Sequence, residues 1–327
     1  MFRIGKQLVC PYCLTKVRFI RPQNLTHCPN CKRELPIQYV EECDSLAPFF
    51  VQIFGYPRSG KTVFLLALTL MLTKMRMVWP RFAPTPATDA TMQKVAETNE
   101  YVRTGMLPPA TQLGSQEVYM MILRKMERWG GRIMVTRDCA GEYFNKLEVP
   151  IEQIPYVTHA PTTFMMVSLP DMDASNRTID MLMSTYIETL MKNKVDFKRT
   201  RRSLVMVLSK GDKIAGLPVN LQNYLMNDPL WATVNSPKPA DSLNAEGMQT
   251  YIETMSHVSD TIREWLLRRA DAVTFMQLAE EKNIDVRYAL ISSTGSDVEP
   301  DGYLANALEP RRVLDPYFWA LELQSQP

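Results

Sequence analysis

The chain has no apolar run long enough to cross a bilayer, no visible secretory signal and no strong net charge. Its most apolar stretch, Val63 to Leu72, is followed at once by Lys74 and Arg76, whereas a spanning helix needs about 20 apolar residues. The start is polar and soon reaches Cys10-Pro11-Tyr12-Cys13, unlike the apolar core of a signal peptide. A cytoplasmic location is therefore expected. Over 327 residues the formal net charge is only +2, so the charge of the whole chain points to no class of partner. With 46% hydrophobic and 22% charged residues, the composition is that of a globular protein with a sizeable core.

The charge is unevenly spread. Residues 1–40 hold seven Lys and Arg (Arg3, Lys6, Lys16, Arg18, Arg21, Lys32, Arg33) against Glu34 alone, a balance of +6, while the rest of the chain carries −4. Four of the six cysteines lie in the same stretch, as Cys10/Cys13 and Cys28/Cys31, with fourteen residues between the pairs. A single Cys-x-x-Cys is compatible with redox chemistry. Two matched pairs in a chain without a signal peptide are a metal pattern. Four thiolates close a tetrahedral Zn²⁺ site with no open position, so its role is structural. The metal supplies folding free energy that so short a segment cannot obtain by burial alone. His27, beside Cys28, is read as a bystander. The metal with its thiolates brings about −2, leaving the ribbon near +4. Docking on a protein or on its own chain is favoured for it over nucleic acid.

Phe49-Phe50-Val51-Gln52-Ile53-Phe54 reads as a buried strand, short and apolar. It runs into Gly55-Tyr56-Pro57-Arg58-Ser59-Gly60-Lys61-Thr62, a full G-x-x-x-x-G-K-[ST] match, and then into the helical Val63 to Leu68. Strand, glycine loop and helix is the context this motif requires. In it the loop amides, Gly55, Arg58, Ser59 and Gly60 included, cradle phosphates. Lys61 reaches the β and γ phosphates and Thr62 ligates Mg²⁺.

Gly131 to Arg137 is a second strand, ending at Asp138-Cys139-Ala140-Gly141. Asp138 is placed for the second Mg²⁺ contact, and Gly141 lets a backbone N–H approach the γ-phosphate. Gln116 to Met126 forms a hairpin with that strand across Trp129-Gly130-Gly131. Ser203 to Leu208 is a third strand, opening onto Ser209-Lys210-Gly211-Asp212. There the Lys210 stem can cover a purine, and the Asp212 carboxylate can accept from guanine N1–H and its 2-amino group. Tyr288 to Ile291 leads to Ser292-Ser293-Thr294-Gly295, where the amides of Ser293 and Thr294 face the base oxygen.

The series GYPRSGKT, DCAGE, SKGD and SSTG, each after a strand, resembles the Ras-like G domain of the translation-factor-related GTPases. With the ribbon, Leu107-Pro108-Pro109-Ala110-Thr111 and Asp315-Pro316-Tyr317-Phe318-Trp319, the chain looks like the bacterial double-GTPase proteins. The resemblance implies GTP/GDP and Mg²⁺ as ligands, Thr111 as the Mg²⁺-binding switch threonine, and Thr104 as second choice. It also implies protein partners, a second GTPase or an effector, in a multi-component intracellular system such as defence. Three positions depart from the pattern. Ser209 stands for the usual Asn or Thr, Pro57 for glycine near the γ-phosphate, and Glu142 for the water-orienting Gln. A carboxylate at position 142 can act as a base but also repels a γ-phosphate, so intrinsic hydrolysis is expected to be slow. Arg58 and Arg103 are the cationic candidates in cis. Lys61, Thr111, Gly141 and Glu142 form the expected catalytic set.

The expected architecture is α/β. A zinc ribbon, residues 1–40, precedes a Ras-like P-loop domain, residues 41–327. That domain has a mostly parallel six-stranded sheet and helical insertions near residues 80–110 and 214–284. Ala90 to Arg103, Gly247 to Ala270 and Ala272 to Lys282 read as helices. The stripe Tyr251, Met255, Val258, Ile262, Leu266 is read as core. Two alternatives to a switch stay open: a nucleotide-binding scaffold with little hydrolysis, and an ATPase acting on nucleic acid through the ribbon.

Overall fold

The computed structural model describes residues 6–19, 25–107, 118–138, 154–174, 178–198, 201–214, 216–236, 243–269 and 272–325. It begins with a two-stranded antiparallel sheet, β1 (Lys6–Val9) and β2 (Lys16–Phe19), followed by the short helix α1 (Ile37–Glu42). Then come β3 (Ala47–Gly55), α2 (Lys61–Lys74), β4 (Ala83–Pro86), α3 (Asp89–Thr104), β5 (Val118–Met126), β6 (Gly130–Asp138), α4 (Ile154–His159) and β7 (Thr162–Ser168). The second half holds α5 (Leu169–Ala174), α6 (Ile179–Lys192), β8 (Arg202–Ser209), α7 (Val219–Met226), α8 (Pro229–Val234), α9 (Ala245–Leu267), α10 (Val273–Glu281), β9 (Ile284–Leu290) and α11 (Asp315–Ser325).

The main sheet runs β4-β5-β6-β3-β7-β8-β9. The last five strands in that order are parallel, and β5 is antiparallel to both neighbours. Among the described residues the sheet thus has seven strands where the sequence predicts six. The extra edge strand, β4, lies in the proline-rich stretch before the α3 insertion and pairs with Met121 to Arg124. Proline removes a ladder donor, but an edge strand needs its partner on one side only.

β3, β7 and β8 are buried on both faces, which is why they read as continuous apolar runs rather than alternating ones. Alternate residues feed two layers. Val51, Ile53, Phe164, Met166, Val205 and Val207 face α2 and α11. Phe54, Met165, Val167, Leu204, Met206 and Leu208 face α6, α7 and α10. The 23-residue α9 starts on an Asn244 cap, whose side chain accepts from Gly247 N. Tyr251 and Met255 join the first layer and Ile262 and Leu266 the second, so the stripe is core. α3 starts at a Thr88 cap and ends at Gly105, which is left-handed at φ 72°.

A third cluster joins the cysteine-bearing segment to the sheet. Leu8, Val17, Phe19, Leu35 and Tyr39 pack in one buried group with Met120, Ile122, Ile133, Val135 and Tyr156. The Tyr156 hydroxyl donates to Pro11 O, inside the first cysteine pair. No helix among the described residues is long and apolar enough to cross a membrane.

Candidate functional site

β3 is the central strand at which the sheet order reverses, with β6 on one side and β7 on the other. Ligands of open α/β sheets bind beyond the carboxyl ends of the strands at such a switch point. Here Gly55, Asp138, Ser168, Ser209 and Leu290 end five adjacent parallel strands on one edge. Asp138 lies beside β3, in register with Ile53.

The loop from Tyr56 to Gly60 must turn sharply into α2. A Cβ on Gly55 would lie 2.5 Å from Met166 O, and Gly60 is left-handed at φ 90°. Exposed Arg58 is left-handed too, at φ 67°, a conformation costing a side-chain residue about 1–2 kcal/mol. Fixed contacts offset that strain. Lys61 Nζ donates to Gly55 O at 3.0 Å and to Tyr56 O at 2.9 Å. Ser209 Oγ lies 2.8 Å from Ser59 O and 3.1 Å from Val167 O, so its one proton fastens the loop to the ends of β7 and β8. Ser209 performs this fastening although it departs from the usual Asn or Thr.

The donor set fits a triphosphate with Mg²⁺. The 14-residue α2 offers its N-terminal amides and dipole, Lys61 an ammonium, and Thr62 a hard hydroxyl oxygen of the kind Mg²⁺ prefers. Gly55→Ala is expected to weaken triphosphate binding at least about tenfold, because the clash is with backbone rather than a movable side chain. Unchanged affinity by calorimetric titration would refute this account of the cradle.

On the other side of the edge, Lys210 is left-handed at φ 57° and opens a 3₁₀ turn, Gly211–Lys213. Gly211 N donates to Ile291 O at 3.0 Å, joining this turn to the end of β9. Lys210 Nζ lies 3.6 Å from an Asp171 oxygen, and Asp212 Oδ2 lies 2.9 Å from Lys213 Nζ. Beyond β9, Gly295 N donates to Ser292 Oγ, and Thr294 Oγ1 to Ser296 O. Gly295 is left-handed, and a Cβ there would meet Glu309 O at 2.3 Å. The half-buried Ser293 and Thr294 therefore sit on a rigid turn beside Asp212's strand.

Thr111, Gly141 and Glu142 lie outside the described residues. Thr104 closes α3, its hydroxyl donating to Glu100 O at 2.9 Å. Arg103 is paired with Glu100 on the exposed face of α3, its Nε at 3.0 Å. One residue at the site, Ser168, carried no sequence signal. Its hydroxyl and that of Ser59 are buried with no hydrogen-bond partner among the described residues, and both residues line one small cavity with Tyr56 and Pro57.

The four cysteines converge at the other centre. Each pair sits in the same turn. Leu14 N donates to Cys10 O and Cys10 N to Thr15 O, and Lys32 N donates to Cys28 O and Cys28 N to Arg33 O, all at 2.9 Å. Leu14 and Lys32 are both left-handed. Cys10 Sγ is 3.8 Å from Cys31 Sγ, Cys13 Sγ is 3.7 Å from Cys28 Sγ, and all four lie within 4.8 Å of one another. A tetrahedron with Zn–S near 2.3 Å has edges of about 3.8 Å, so the cluster fits Zn²⁺ in size and donor type. His27 is exposed and belongs to no such cluster among the described residues.

The profile of the Double-GTPase 2 family matches residues 49–230, more than half of the chain. The chain belongs to the Double-GTPase 2 family. It is a P-loop GTP-binding protein of that family. No curated protein matches it in sequence. Solved structures similar to it include the signal recognition particle receptor SRb-GTP/SRX complex from Chaetomium thermophilum, 10% identical, covering 77% of this chain and 93% of that one, TM-score 0.34. Another is the Ski7 GTPase-like domain of S. cerevisiae bound to GDP and phosphate, 11% identical, covering 88% and 53%, TM-score 0.40. A bacterial selenocysteine-specific elongation factor is 13% identical, covering 75% and 26%, TM-score 0.29.

Proposed function

We propose that this Double-GTPase 2 protein is a slow Mg²⁺-dependent GTPase switch that acts with protein partners, a second GTPase or an effector, in a multi-component system such as defence. The observation that carries the reading is the joining of Ser59, Ser209, Asp212 and the Ser292–Gly295 turn at one sheet edge. There the phosphate loop and the turn that carries Asp212 share a scaffold, which supports guanine as the base. Lys61 and the α2 amides hold the phosphates. Thr62, Asp138 and Thr111 would hold Mg²⁺, which would supply positive charge to the phosphoryl oxygens. Gly141 senses the γ-phosphate. Glu142, a carboxylate where a neutral amide orients water, makes the isolated chain slow. Arg58 in the loop and Arg103, which pairs with Glu100 on an exposed face, are the candidates in cis, and the reading favours a partner-supplied cation, which can raise the rate about 10³–10⁵-fold.

The ribbon holds structural zinc, and its burial against the sheet supports docking on its own chain rather than an ATPase acting on nucleic acid. Pro57, beside the γ-phosphate position, favours the second reading, a nucleotide scaffold that scarcely hydrolyses.

Asp212→Asn is expected to weaken GTP and to improve xanthosine triphosphate binding, because an amide donates where the carboxylate accepted. Equal affinity for ATP and GTP in the unmodified protein would refute the guanine assignment. Single-turnover hydrolysis, alone and with co-encoded proteins, separates switch from scaffold. Partner-stimulated turnover supports the switch, and no turnover with identical partner affinity for both nucleotide states supports the scaffold.

A further inference from the structure

The turn after β8 holds a cation that the guanine reading does not use. Lys213 Nζ lies 2.9 Å from Asp212 Oδ2 and donates to Asp297 Oδ1 at 2.6 Å. The Asp212 side chain is 15% exposed, Lys213 31% and Asp297 79%, so the contact with Asp212 is the sheltered half of the bridge. Asp297 belongs to a small loop rooted in the Ser292–Gly295 turn. Thr294 Oγ1 donates to Ser296 O, Ala305 N donates to Asp297 O at 2.9 Å, and Val298 pairs with Leu304. The far end of this loop bonds to the residues after α3. Leu304 N donates to Gly105 O at 2.8 Å and Leu107 N to Gly302 O at 3.0 Å. Lys213 therefore joins the carboxylate beside the base position to a segment fixed at both ends.

An ionised carboxylate has about four lone-pair sites and turns freely unless something holds it. Guanine recognition needs two of those sites aimed together at N1–H and the 2-amino group. An ammonium within ion-pair distance of Oδ2 restricts the carboxylate's rotation. Adenine presents an unprotonated N1 to the same place, so a fixed, charged carboxylate also repels the wrong base. We infer that Lys213 is a positioning residue for base recognition, holding the Asp212 carboxylate aimed at guanine by bridging it to Asp297. The inference rests on the guanine reading proposed above and goes beyond it by assigning the source of the carboxylate's orientation.

The test compares GTP and ATP binding, with Mg²⁺, in the unmodified chain, Lys213→Met, Lys213→Arg, Asp297→Ala and Asp212→Asn, with a melting curve for each. Lys213→Met keeps the stem and removes the charge. It is expected to weaken GTP about tenfold, the scale of losing one sheltered ion-pair contact, with ATP affinity unchanged. The GTP-to-ATP preference then falls by the same factor. Lys213→Arg restores most of the preference, which a purely structural role would not require. Asp297→Ala, at an exposed position, gives a smaller loss in the same direction. GTP and ATP weakening alike, or an unchanged preference in Lys213→Met, would overturn the inference. Asp212→Asn distinguishes the failures. If it too leaves the preference intact, the guanine reading itself falls. If it abolishes the preference while Lys213→Met does not, only the role of Lys213 falls.

Discussion

Cys28→Ser protein is expected to purify without zinc and to melt about 10 °C below the unmodified chain, from a loss of several kcal/mol at a few degrees per kcal/mol. Cys28 is fully buried, its sulfur lies 3.7 Å from Cys13 Sγ, and no fifth His, Cys, Asp or Glu among the described residues joins the cluster to replace it. A hydroxyl does not supply the soft, charged donor that a four-thiolate site requires. Without the metal, the two turns that present Leu14 and Lys32 in left-handed conformations lose what holds them together.

The consequence spreads because the ribbon does not fold apart. Leu8, Val17, Phe19, Leu35 and Tyr39 are at most 7% exposed and share a cluster with β5 and β6. Fully exposing such side chains costs about 1.5–3 kcal/mol each, an upper estimate. The Tyr156 hydroxyl would also lose its acceptor at Pro11. Metal analysis and scanning calorimetry check both parts. Undenatured, chelator-free unmodified protein with no zinc, or a variant with an unchanged transition, would contradict the assignment.

Arg312→Met is expected to cost about 3–5 kcal/mol, the range for breaking a buried charge network by removing one partner. Arg312 is 5% exposed and left-handed at φ 58°. Its Nε donates to Tyr224 O at 2.9 Å, its Nη2 donates to Asn227 O at 2.7 Å, and its guanidinium lies 3.7 Å above the Tyr224 ring. Its backbone N donates to Asp228, which caps α8 through Leu230 N and Trp231 N. Asp315, at the start of α11, accepts from the hydroxyls of Tyr224 and Tyr251 at 2.5 and 2.6 Å. This cluster ties α7, α8 and α9 to the last helix. Methionine fills the space but leaves two carbonyls unpaired and two carboxylates without their cation.

The sign of the pH dependence follows from Asp315. Burial pushes its carboxyl up to about 6, although Arg312 pulls it down, against about 3.9 for an unfolded aspartate. The stability it contributes is full below about 3.9 and is lost as pH rises through 6, on the order of 3 kcal/mol. Removing Arg312 raises the carboxyl further, so the penalty of the substitution grows toward higher pH. Denaturant unfolding at pH 5 and pH 8 should show the larger loss at pH 8. A loss below about 1 kcal/mol at both values would mean that the network is not what joins these helices.

Much of the site was legible because its chemistry sits in contiguous residues. Backbone amides of one loop, a lysine and a threonine at the start of one helix, and two cysteines per turn are set by short-range geometry. Periodicity likewise marks α3 and α9, since an apolar face repeats within one element. The interactions that assemble these pieces carry no such signal. Ser209 reaches Ser59 from 150 residues away, and Lys213 reaches Asp297 across 84. Each contact exists only because the sheet order sets particular strand ends side by side. β4 escaped notice because its prolines suit only an edge strand, and whether an edge is available depends on the rest of the sheet. The ribbon's burial was hidden for a related reason, since β1 and β2 show where apolar side chains lie but not what covers them. From the sequence alone came the phosphate loop, the four-cysteine cluster and the α/β class, all fixed by local backbone geometry. The tertiary structure alone decided which distant polar groups hold the loop, which cation faces Asp212 and that the ribbon shares the core, because those depend on long-range packing.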